Sequence, residues 1–487
     1  MKPILSILLL GLLLPMWLQA QTLTPEQLQA DFTRFRTALN EVHPEMYRYT
    51  PKARFDSLFA ATAAQLNRPM TQHAFYVTMV PLLIALRDGH IKWIVSGKDE
   101  HYPFFTDKLF PLKLYFVRDR AWVIGNYGAG AVPDGAELIT INGKPITTIL
   151  HALLPNMTFA DGDRIGGKLE DLNRYFSGFY ATFIGAPDAF LVAYRVGNDE
   201  TSVTLPPVTE QTIKTYTEAH KPAPQTPFHL RFVDDRTVVM TVELFAKKAN
   251  GQRFKSFLRD AFQEIRVKEI TNLVLDLRDN EGGDESLGIL LYRYLAHQPF
   301  RYYDHISVRQ KKRYSFPAWT PTIYRMTKWA FVKKRGDGYV LTGARGLGVT
   351  KPRQEAFRGK LYVLLNGNSF SVTTELAARI HADKRGTFIG QESGGGYKCN
   401  TSGLFTITQL PHSKIDLGIG MFGFNIANVA AYPHADRGIL PDHLVEPTAD
   451  DQLHHHDRVR PDRILDYTLT LIQPKPSLPE TVTSQPK

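Results

Sequence analysis

Two short apolar segments, each followed by a loop of glycine and polar residues, constrain the fold of this chain most strongly. Residues 273–277 lead into Asp279-Asn280-Glu281-Gly282-Gly283, and residues 361–365 lead into Asn366-Gly367-Asn368-Ser369-Phe370-Ser371. The glycine pair can direct backbone N–H groups at one point, as stabilisation of a developing oxyanion requires. The second loop presents a serine where a helix is predicted to begin, at Val372. Together the two loops supply half of a serine hydrolase site.

Strands and helices alternate along the C-terminal half of the chain. The predicted strands cover 238–242, 273–277, 361–365 and 387–390, and the predicted helices cover 254–265, 287–295 and 372–380. This alternation predicts an α/β domain, which we place at 228–475. Ligand sites in such sheets lie at the carboxyl ends of the strands, where both loops occur. Within a chain of 487 residues this domain cannot be the only one.

Two further domains are predicted before it, giving a multi-domain α+β chain overall. Residues 21–105 read as a helical cap that begins with the capping box Thr24-Pro25-Glu26-Gln27, and Gly89 is the expected left-handed residue after its third helix. Residues 106–205 are β-rich, and Asn142-Gly143 within them marks a turn. A proline-containing linker is predicted at 206–227 and a disordered tail at 476–487.

The N-terminal segment predicts export. Lys2 precedes an apolar run over 4–14 that is too short to span a membrane, and Ala20 offers a cleavage position. Residues 1–20 are therefore predicted to be a signal peptide. The single cysteine, Cys399, excludes an intrachain disulfide, so a bacterial periplasm or the outside medium fits best. No integral membrane segment is expected in the mature chain.

The net charge of +10 is typical either of a basic solvated surface or of a protein with an acidic partner. No nucleic-acid-binding motif accompanies it, so a nucleic-acid partner is not expected. Residues 301–358 form a basic and aromatic insertion in the α/β domain, which is either a surface excursion or a flap over substrate. The histidines at 454–456 are adjacent and cannot converge on one metal ion, which favours an exposed loop. Neither a metal nor a cofactor is predicted.

Several motifs in order resemble the tricorn and C-terminal-processing-protease family of serine peptidases. They are Asp276-x-Arg278-x-Asn280-x-Gly282-Gly283, Asn366-Gly367-x-Ser369-x-Ser371, Ile389-Gly390-Gln391-Glu392, the segment at 437–448 with Pro441-Asp442, and Asp88-Gly89-His90 near the N-terminus. The resemblance implies a helical cap, a PDZ-like insert at 106–205 and a catalytic α/β domain of the crotonase-like kind. PDZ folds bind peptides by adding a strand to a sheet edge, whereas the plain alternative is a structural β domain. The resemblance also implies a peptide or protein substrate.

The resemblance assigns the nucleophile to Ser371, with Ser369 as the rival. A helix N-terminus favours the developing alkoxide, although a serine there can also be a simple N-cap. The expected oxyanion donors are the N–H groups of Gly282 or Gly283 and of Val372. Asp276 and Arg278 are expected to fix the first loop as a pair.

The general base is expected to be His90, because an imidazole can accept and return a proton near neutral pH. Lys398 is the rival base, since one branch of the family uses a lysine, and it would need burial to lower its pKa. Asp436 is the expected orienting acid, at a position shifted by one residue from the family's glutamate. Glu375, one helical turn after Ser371, is read as a structural residue.

The sequence therefore predicts an exported serine-type peptidase that acts through an acyl-enzyme. Two alternatives stay open: a non-catalytic ligand- or peptide-binding protein on the same fold, and an esterase that uses the same site. The sequence carries no mark of an oligomeric state.

Overall fold

The structure is a computed structural model that describes residues 22–104, 106–128, 132–221, 226–453 and 462–473. The predicted signal peptide, the histidines at 454–456 and the predicted tail at 476–487 lie outside these ranges. No helix in the described part of the chain has both the length and the apolarity needed to cross a bilayer.

The N-terminal segment consists of three helices and three short strands. In chain order they are β1 (Thr22–Leu23), α1 (Pro25–Val42), α2 (Lys52–Gln65), β2 (Met70–Thr71), α3 (Gln72–Leu86) and β3 (Lys92–Val95). Thr24 closes the predicted capping box with Gln27 at the start of α1. The left-handed residue that ends α3 is Arg87 (φ 52°), not Gly89 as expected. Gly89 is needed for a different reason, which is its close approach to Phe370.

The middle segment is an antiparallel sheet with helices packed on it. Its elements are β4 (Leu112–Val117), β5 (Arg120–Asn126), β6 (Glu137–Ile141), β7 (Lys144–Pro145), α4 (Ile146–Leu153), a 3-10 turn (Leu154–Asn156), α5 (Gly166–Phe183), β8 (Phe190–Val196), β9 (Asp199–Leu205) and α6 (Glu210–Ala219). The strand order is β4-β5-β6-β8-β9, with β7 paired to β6. This segment has its own hydrophobic core around Phe110, Phe176 and Phe190. Helix α6 occupies part of the predicted linker, of which 222–225 lies outside the described ranges.

The C-terminal segment contains the predicted alternation of strands and helices. Its elements are β10 (Phe228–Phe232), β11 (Thr237–Val242), β12 (Lys248–Ala249), β13 (Gln252–Arg253), α7 (Phe254–Val267), β14 (Asn272–Asp276), α8 (Glu285–Leu295), β15 (Tyr303–Val308), α9 (Thr322–Phe331), β16 (Val332–Arg335), β17 (Gly338–Leu341), β18 (Lys360–Leu365), α10 (Val372–Ala382), β19 (Thr387–Gly390), β20 (Cys399–Gln409), β21 (Ile415–Ile426), β22 (His443–Leu444), α11 (Ala449–Leu453) and α12 (Arg463–Ile472).

Two sheets organise this segment. The first has the order β10-β11-β14-β18-β19-β22, and all its pairings from β11 onward are parallel. The second has the order β16-β17-β15-β21-β20, and β3 of the N-terminal segment pairs with β21. The mixed α/β class is thereby confirmed. The first sheet brings the loops after β14 and β18 to one edge, because the loops that follow adjacent parallel strands lie at the same end of a sheet.

One continuous hydrophobic core joins the N-terminal helices to the C-terminal segment. Phe35 and Leu83 of the helices belong to the same buried cluster as Leu275 of β14 and Ile419 of β21. Because β3 also completes the second sheet, the helical segment is an integral part of the wall around the site. The residues just before β3 therefore reach the strand-end loops, although they lie about 190 positions before the loop after β14 and about 280 before the loop after β18.

Candidate active site

Ser369, the rival nucleophile, holds the two strand-end loops together. The Ser369 hydroxyl donates to the Leu277 carbonyl (2.9 Å) and accepts the N–H of Asn366 (3.1 Å). Its side chain is fully buried. A second link runs from the Phe370 N–H to the Asn280 carbonyl, at 3.1 Å. Ser369 is therefore placed to hold the loops in register and has no access to a substrate.

Ser371 lies at the N-terminus of α10 with a strained backbone. Its φ of 53° and ψ of −125° lie outside the regions that a non-glycine residue ordinarily occupies. Its side chain makes no capping hydrogen bond to α10. It lines a cavity of about 460 Å³, which also contains His90. The fold thus pays a conformational cost to point this hydroxyl into a cavity, where the helix N-terminus favours negative charge.

The Gly-Gly loop after β14 lies directly against this serine. A Cβ on Gly282, whose φ is +105°, would come within 2.7 Å of the Ser371 Cβ. The Gly282 N–H donates to the Asn280 side-chain oxygen at 2.9 Å. The N–H groups of Gly283 and Val372 have no acceptor within the described ranges, and both residues line the cavity. Of the three expected oxyanion donors, these two are available, and Gly282 provides the close approach.

His90 reaches the same cavity from the loop between α3 and β3. Its N–H donates to the Asp88 carboxylate at 2.8 Å, which fixes the backbone of the loop. Its ring stacks on that of Phe370, with 4.4 Å between ring centroids. Phe370 immediately precedes Ser371, so the stacking ties the imidazole to the serine loop. His90 and Ser371 line the same cavity, and no hydrogen bond joins them in the described structure.

Two buried carboxylates surround the imidazole of His90. The Asp88 Oδ1 lies 3.8 Å from the His90 Nδ1, and its Oδ2 is 2.9 Å from the His43 Nε2. Asp161 accepts the N–H of Gly89 and that of Gly396, each at 2.9 Å. It therefore fastens the loop of His90 to the loop that follows β19.

The protonation of His90 follows from this setting. Burial lowers the pKa of His90, while the negative charges of Asp161 and Asp88 raise it, and the nearby Lys92 lowers it further. The net shift of the pKa is downward, so the imidazole is neutral at pH 7 and able to accept a proton. Ligand atoms of Asp88, His90 and Asp161 lie within 4.8 Å of one another. Their carboxylates already accept hydrogen bonds from backbone N–H groups, which accounts for their positions.

The other two expected site residues are placed elsewhere. Lys398 is half-buried just before β20, where its carbonyl accepts the Ile426 N–H at 3.0 Å. It is not among the residues that line the cavity of Ser371. Asp436 is half-buried, and its carbonyl accepts the Asp163 N–H at 3.3 Å. No hydrogen bond or ion pair between its carboxylate and His90 occurs among the described residues.

A buried network behind Ser371 was not foreseen from the sequence. The Asn400 side-chain nitrogen donates to the Glu375 carboxylate at 2.6 Å and lies 3.5 Å from the Ser371 Oγ. The Tyr303 hydroxyl also donates to Glu375. Burial raises the pKa of Glu375 to about 7, so this carboxyl is poised between its two protonation states at neutral pH. Asn400 follows the start of a strand, and nothing in its sequence context distinguishes it from other polar strand residues.

The walls of the cavity are largely apolar. They include Phe159, Leu341, Leu404, Phe405, Phe422 and Phe424. Lys92, Glu281 and Glu285 add charged groups to the lining. An apolar cavity with a strained serine, a neutral histidine and two free N–H groups is suited to acyl transfer.

One comparison with known proteins finds a family, and another finds no match. Residues 237–415 match the family model of Peptidase family S41. No curated protein matches the sequence.

Two solved structures share the fold of this chain at low sequence identity, and a third is similar to it in coverage and identity. Mature CPAF is 12% identical, with 92% of this chain and 99% of that chain covered and a TM-score of 0.57. A mutant form of CPAF is 10% identical, with 89% and 96% covered and a TM-score of 0.63. A putative peptidase from Parabacteroides merdae is 12% identical, with 93% and 98% covered and a TM-score of 0.48. At such identities the two CPAF structures speak for the fold alone.

Proposed function

We propose that Ser371 is the nucleophile of this chain and that His90 is its general base. The premise is that the chain belongs to peptidase family S41 and is a serine-type peptidase. The observation that carries the proposal is that a strained serine and a histidine that is only 12% exposed, and whose pKa is lowered, line one cavity. Among the described residues that line this cavity, His90 is the only histidine, and Lys398 is not present.

In the proposed reaction the Ser371 Oγ attacks the carbonyl carbon of the scissile peptide bond. His90 accepts the hydroxyl proton as the Oγ–C bond forms, and the N–H groups of Gly283 and Val372 receive the oxyanion. The C–N bond then breaks, and His90 returns the proton to the leaving amine. A water molecule, deprotonated by the same imidazole, hydrolyses the acyl-enzyme and releases the free serine.

We assign the orientation of His90 to Asp88 and Asp161, and not to Asp436. Asp88 lies beside the Nδ1 of the ring, and Asp161 holds the loop on which the ring stands. An acid near the imidazole stabilises the imidazolium that forms when the proton is accepted. Export through residues 1–20 remains part of the proposal, on the strength of the apolar run alone.

Labelling with a fluorophosphonate, followed by mapping of the adduct by mass spectrometry, tests these roles. We expect the adduct on Ser371, its loss in His90→Ala, and its survival in Lys398→Ala, which is the matched control for removal of a base. Loss of the adduct only in Lys398→Ala would instead show the lysine design. An unreactive wild-type protein that also fails to hydrolyse a small ester would favour the binding-protein alternative.

The esterase alternative is decided by the leaving group. We expect hydrolysis of an amide bond in a quenched fluorescent casein, with the same pH dependence as hydrolysis of a matched small ester. Ester turnover without amide turnover, at an intact labelling rate, would show that the site is an acyl hydrolase for esters only. Both measurements use the same Ser371→Ala variant as the background control.

A further inference from the structure

The basic insertion noted in the sequence carries most of the excess charge of this protein. Residues 309–335 contain nine lysines and arginines and no aspartate or glutamate, whereas the whole chain has a net charge of +10. The nine are Arg309, Lys311, Lys312, Arg313, Arg325, Lys328, Lys333, Lys334 and Arg335. Every residue from 309 to 335 is described, and none of these nine cations forms an ion pair with an acidic side chain of the described chain. The charge is therefore concentrated, and the acidic group held against the segment, Glu41, accepts hydrogen bonds from Gln310 and Ser315 and pairs with none of the nine cations.

The same segment exposes the densest group of large apolar side chains in the described structure. Five of the fifteen exposed large hydrophobic residues lie within thirteen positions of each other. They are Trp319, Ile323, Met326, Trp329 and Phe331, with exposed fractions between 46% and 73%. We call these five side chains, of which four are on α9 and Trp319 lies just before it, the apolar face of α9. An exposed cluster of this kind on a folded protein is typical of an interaction site.

Helix α9 is docked in a way that keeps this face outward. Tyr324 is buried on the opposite side, where its ring packs against Phe422 at 5.6 Å between centroids. Ile323, Met326 and Trp329 follow one another at three-residue spacing and share the outer side of the helix. None of these three residues lines the cavity of Ser371, so they are not part of a flap over the proposed site.

The cations surround the apolar face closely. The Lys311 ammonium lies 5.3 Å from the centre of the Trp329 ring and donates to the Trp329 carbonyl. The Lys328 ammonium lies 5.7 Å from the same ring. Lys333 and Lys334 are exposed on β16, which follows the helix directly. The result is an amphipathic surface with tryptophan and methionine at its centre and positive charge at its border.

We propose that this surface binds the face of a bilayer that contains anionic phospholipids. Tryptophan side chains and a helix with a strong apolar face insert at the boundary between headgroups and acyl chains, and lysine and arginine are attracted to anionic headgroups. The protein associates peripherally, through α9 and the basic segments on either side of it. This inference does not depend on the proposed catalytic roles.

Two other occupants fit the surface less well. In a symmetric dimer each copy would present the same patch to its partner, so nine cations would face nine cations. A nucleic acid would neutralise the charge, but it would leave Ile323 and Met326 exposed, because phosphate offers nothing to an aliphatic side chain. An anionic bilayer satisfies both the charge and the apolar area.

The test is co-sedimentation of the mature protein with vesicles. We expect binding to vesicles with 30% phosphatidylglycerol in phosphatidylcholine, weaker binding as salt is raised, and little binding to pure phosphatidylcholine. Lys333→Gln combined with Lys334→Gln should weaken partitioning about thirty-fold, since each cation contributes ~1 kcal/mol near an anionic surface. Met326→Asp should weaken it at least about tenfold.

Matched controls come from α7, on which both an apolar and a basic residue are exposed. Val267→Asp and Lys255→Glu should bind vesicles as the wild type does. Turnover of a small soluble substrate should be unchanged in all variants, which shows that they are folded. Equal binding to both vesicle types, or Met326→Asp binding as tightly as the wild type, would overturn the proposal. So would a wild-type dimer that Met326→Asp dissociates while the protein ignores vesicles.

Discussion

Replacement of Gly282 by alanine is the most direct probe of how the Gly-Gly loop supports Ser371, the proposed nucleophile. The new Cβ would lie 2.7 Å from the Ser371 Cβ and 2.9 Å from the Val372 nitrogen. Carbon atoms in contact prefer about 3.5–4.0 Å, so one of the two loops must move by roughly 1 Å. The φ of +105° at Gly282 adds backbone strain that no L-residue escapes.

The expected loss follows from this displacement. A misplacement of about 1 Å in a catalytic constellation costs on the order of 100-fold in rate, which is ~2.7 kcal/mol of transition-state stabilisation. The displacement would move Ser371 and Val372 away from Gly283. The two N–H groups of the proposed oxyanion site, those of Gly283 and Val372, would then no longer point at the same position. We therefore expect kcat/KM on a peptide substrate to fall about 100-fold, and the rate of fluorophosphonate labelling to fall with it.

Gly251→Ala is the matched control for backbone strain. Gly251 has a φ of +83°, and nothing lies within 4 Å of the position of its Cβ. We expect this variant to lose some thermal stability and to keep its kcat/KM within about threefold of the wild type. If folded Gly282→Ala also kept kcat/KM within about threefold, the loop would not be part of the site, and the reasoning would be refuted.

The remaining predictions concern the groups around the site. Asp161→Asn should move the acid limb of the pH profile of kcat/KM to lower pH, because Asp161 raises the pKa of His90. Lys92→Met should move the same limb to higher pH, because Lys92 lowers the pKa of His90. The opposite signs are the readout, and shifts in one direction would contradict this reading. Asn400→Leu should lower kcat about tenfold by removing the amide near the nucleophile, with an unchanged kcat showing a structural role only. Arg278→Met should lower the free energy of unfolding by about 1–3 kcal/mol, because Arg278 pairs with Asp276 and Asp462. Calorimetry would show this as a lower thermal midpoint, and enzyme activity serves as the control.

Local signals in the sequence predicted the four central strands of the parallel sheet and helices α7, α8 and α10, which are seven of the nineteen described elements of the C-terminal segment. The strand predicted at 387–390 coincides with β19, and the helix predicted at 254–265 lies within α7. Apolar runs bounded by turn residues and helix periodicity are properties of neighbouring residues, so they can be read from a sequence. The pairing of β3 with β21 joins residues more than three hundred positions apart and has no local signal. The same holds for Arg87, which takes the left-handed position expected of Gly89.

The strand-end loops of the site were predictable for a structural reason. The loops after β14 and β18 must meet because their strands are parallel neighbours, and the polar residues in them are close in sequence to the strands that fix them. The motifs themselves therefore predicted that Ser371 and Gly283 lie close together. The burial of Ser369, in contrast, and the hydrogen bonds of its hydroxyl with the Leu277 carbonyl and with the Asn366 N–H were visible only in the structure.

The proposed assignment of the orienting acids shows where a sequence motif stops being informative. A carboxylate acts on an imidazole through distance, and any segment that the fold brings near can supply it. Asp161 comes from the middle segment, 72 residues after Gly89 and 235 before Gly396, the two residues whose N–H groups it accepts. Asp436, chosen for its distance from a closing motif, shares only a backbone contact with the same loop, at Asp163. Sequence motifs therefore predict those site residues that lie next to the strands of a single sheet. A site residue that comes from a separately packed segment is found only when the three-dimensional structure shows where that segment packs.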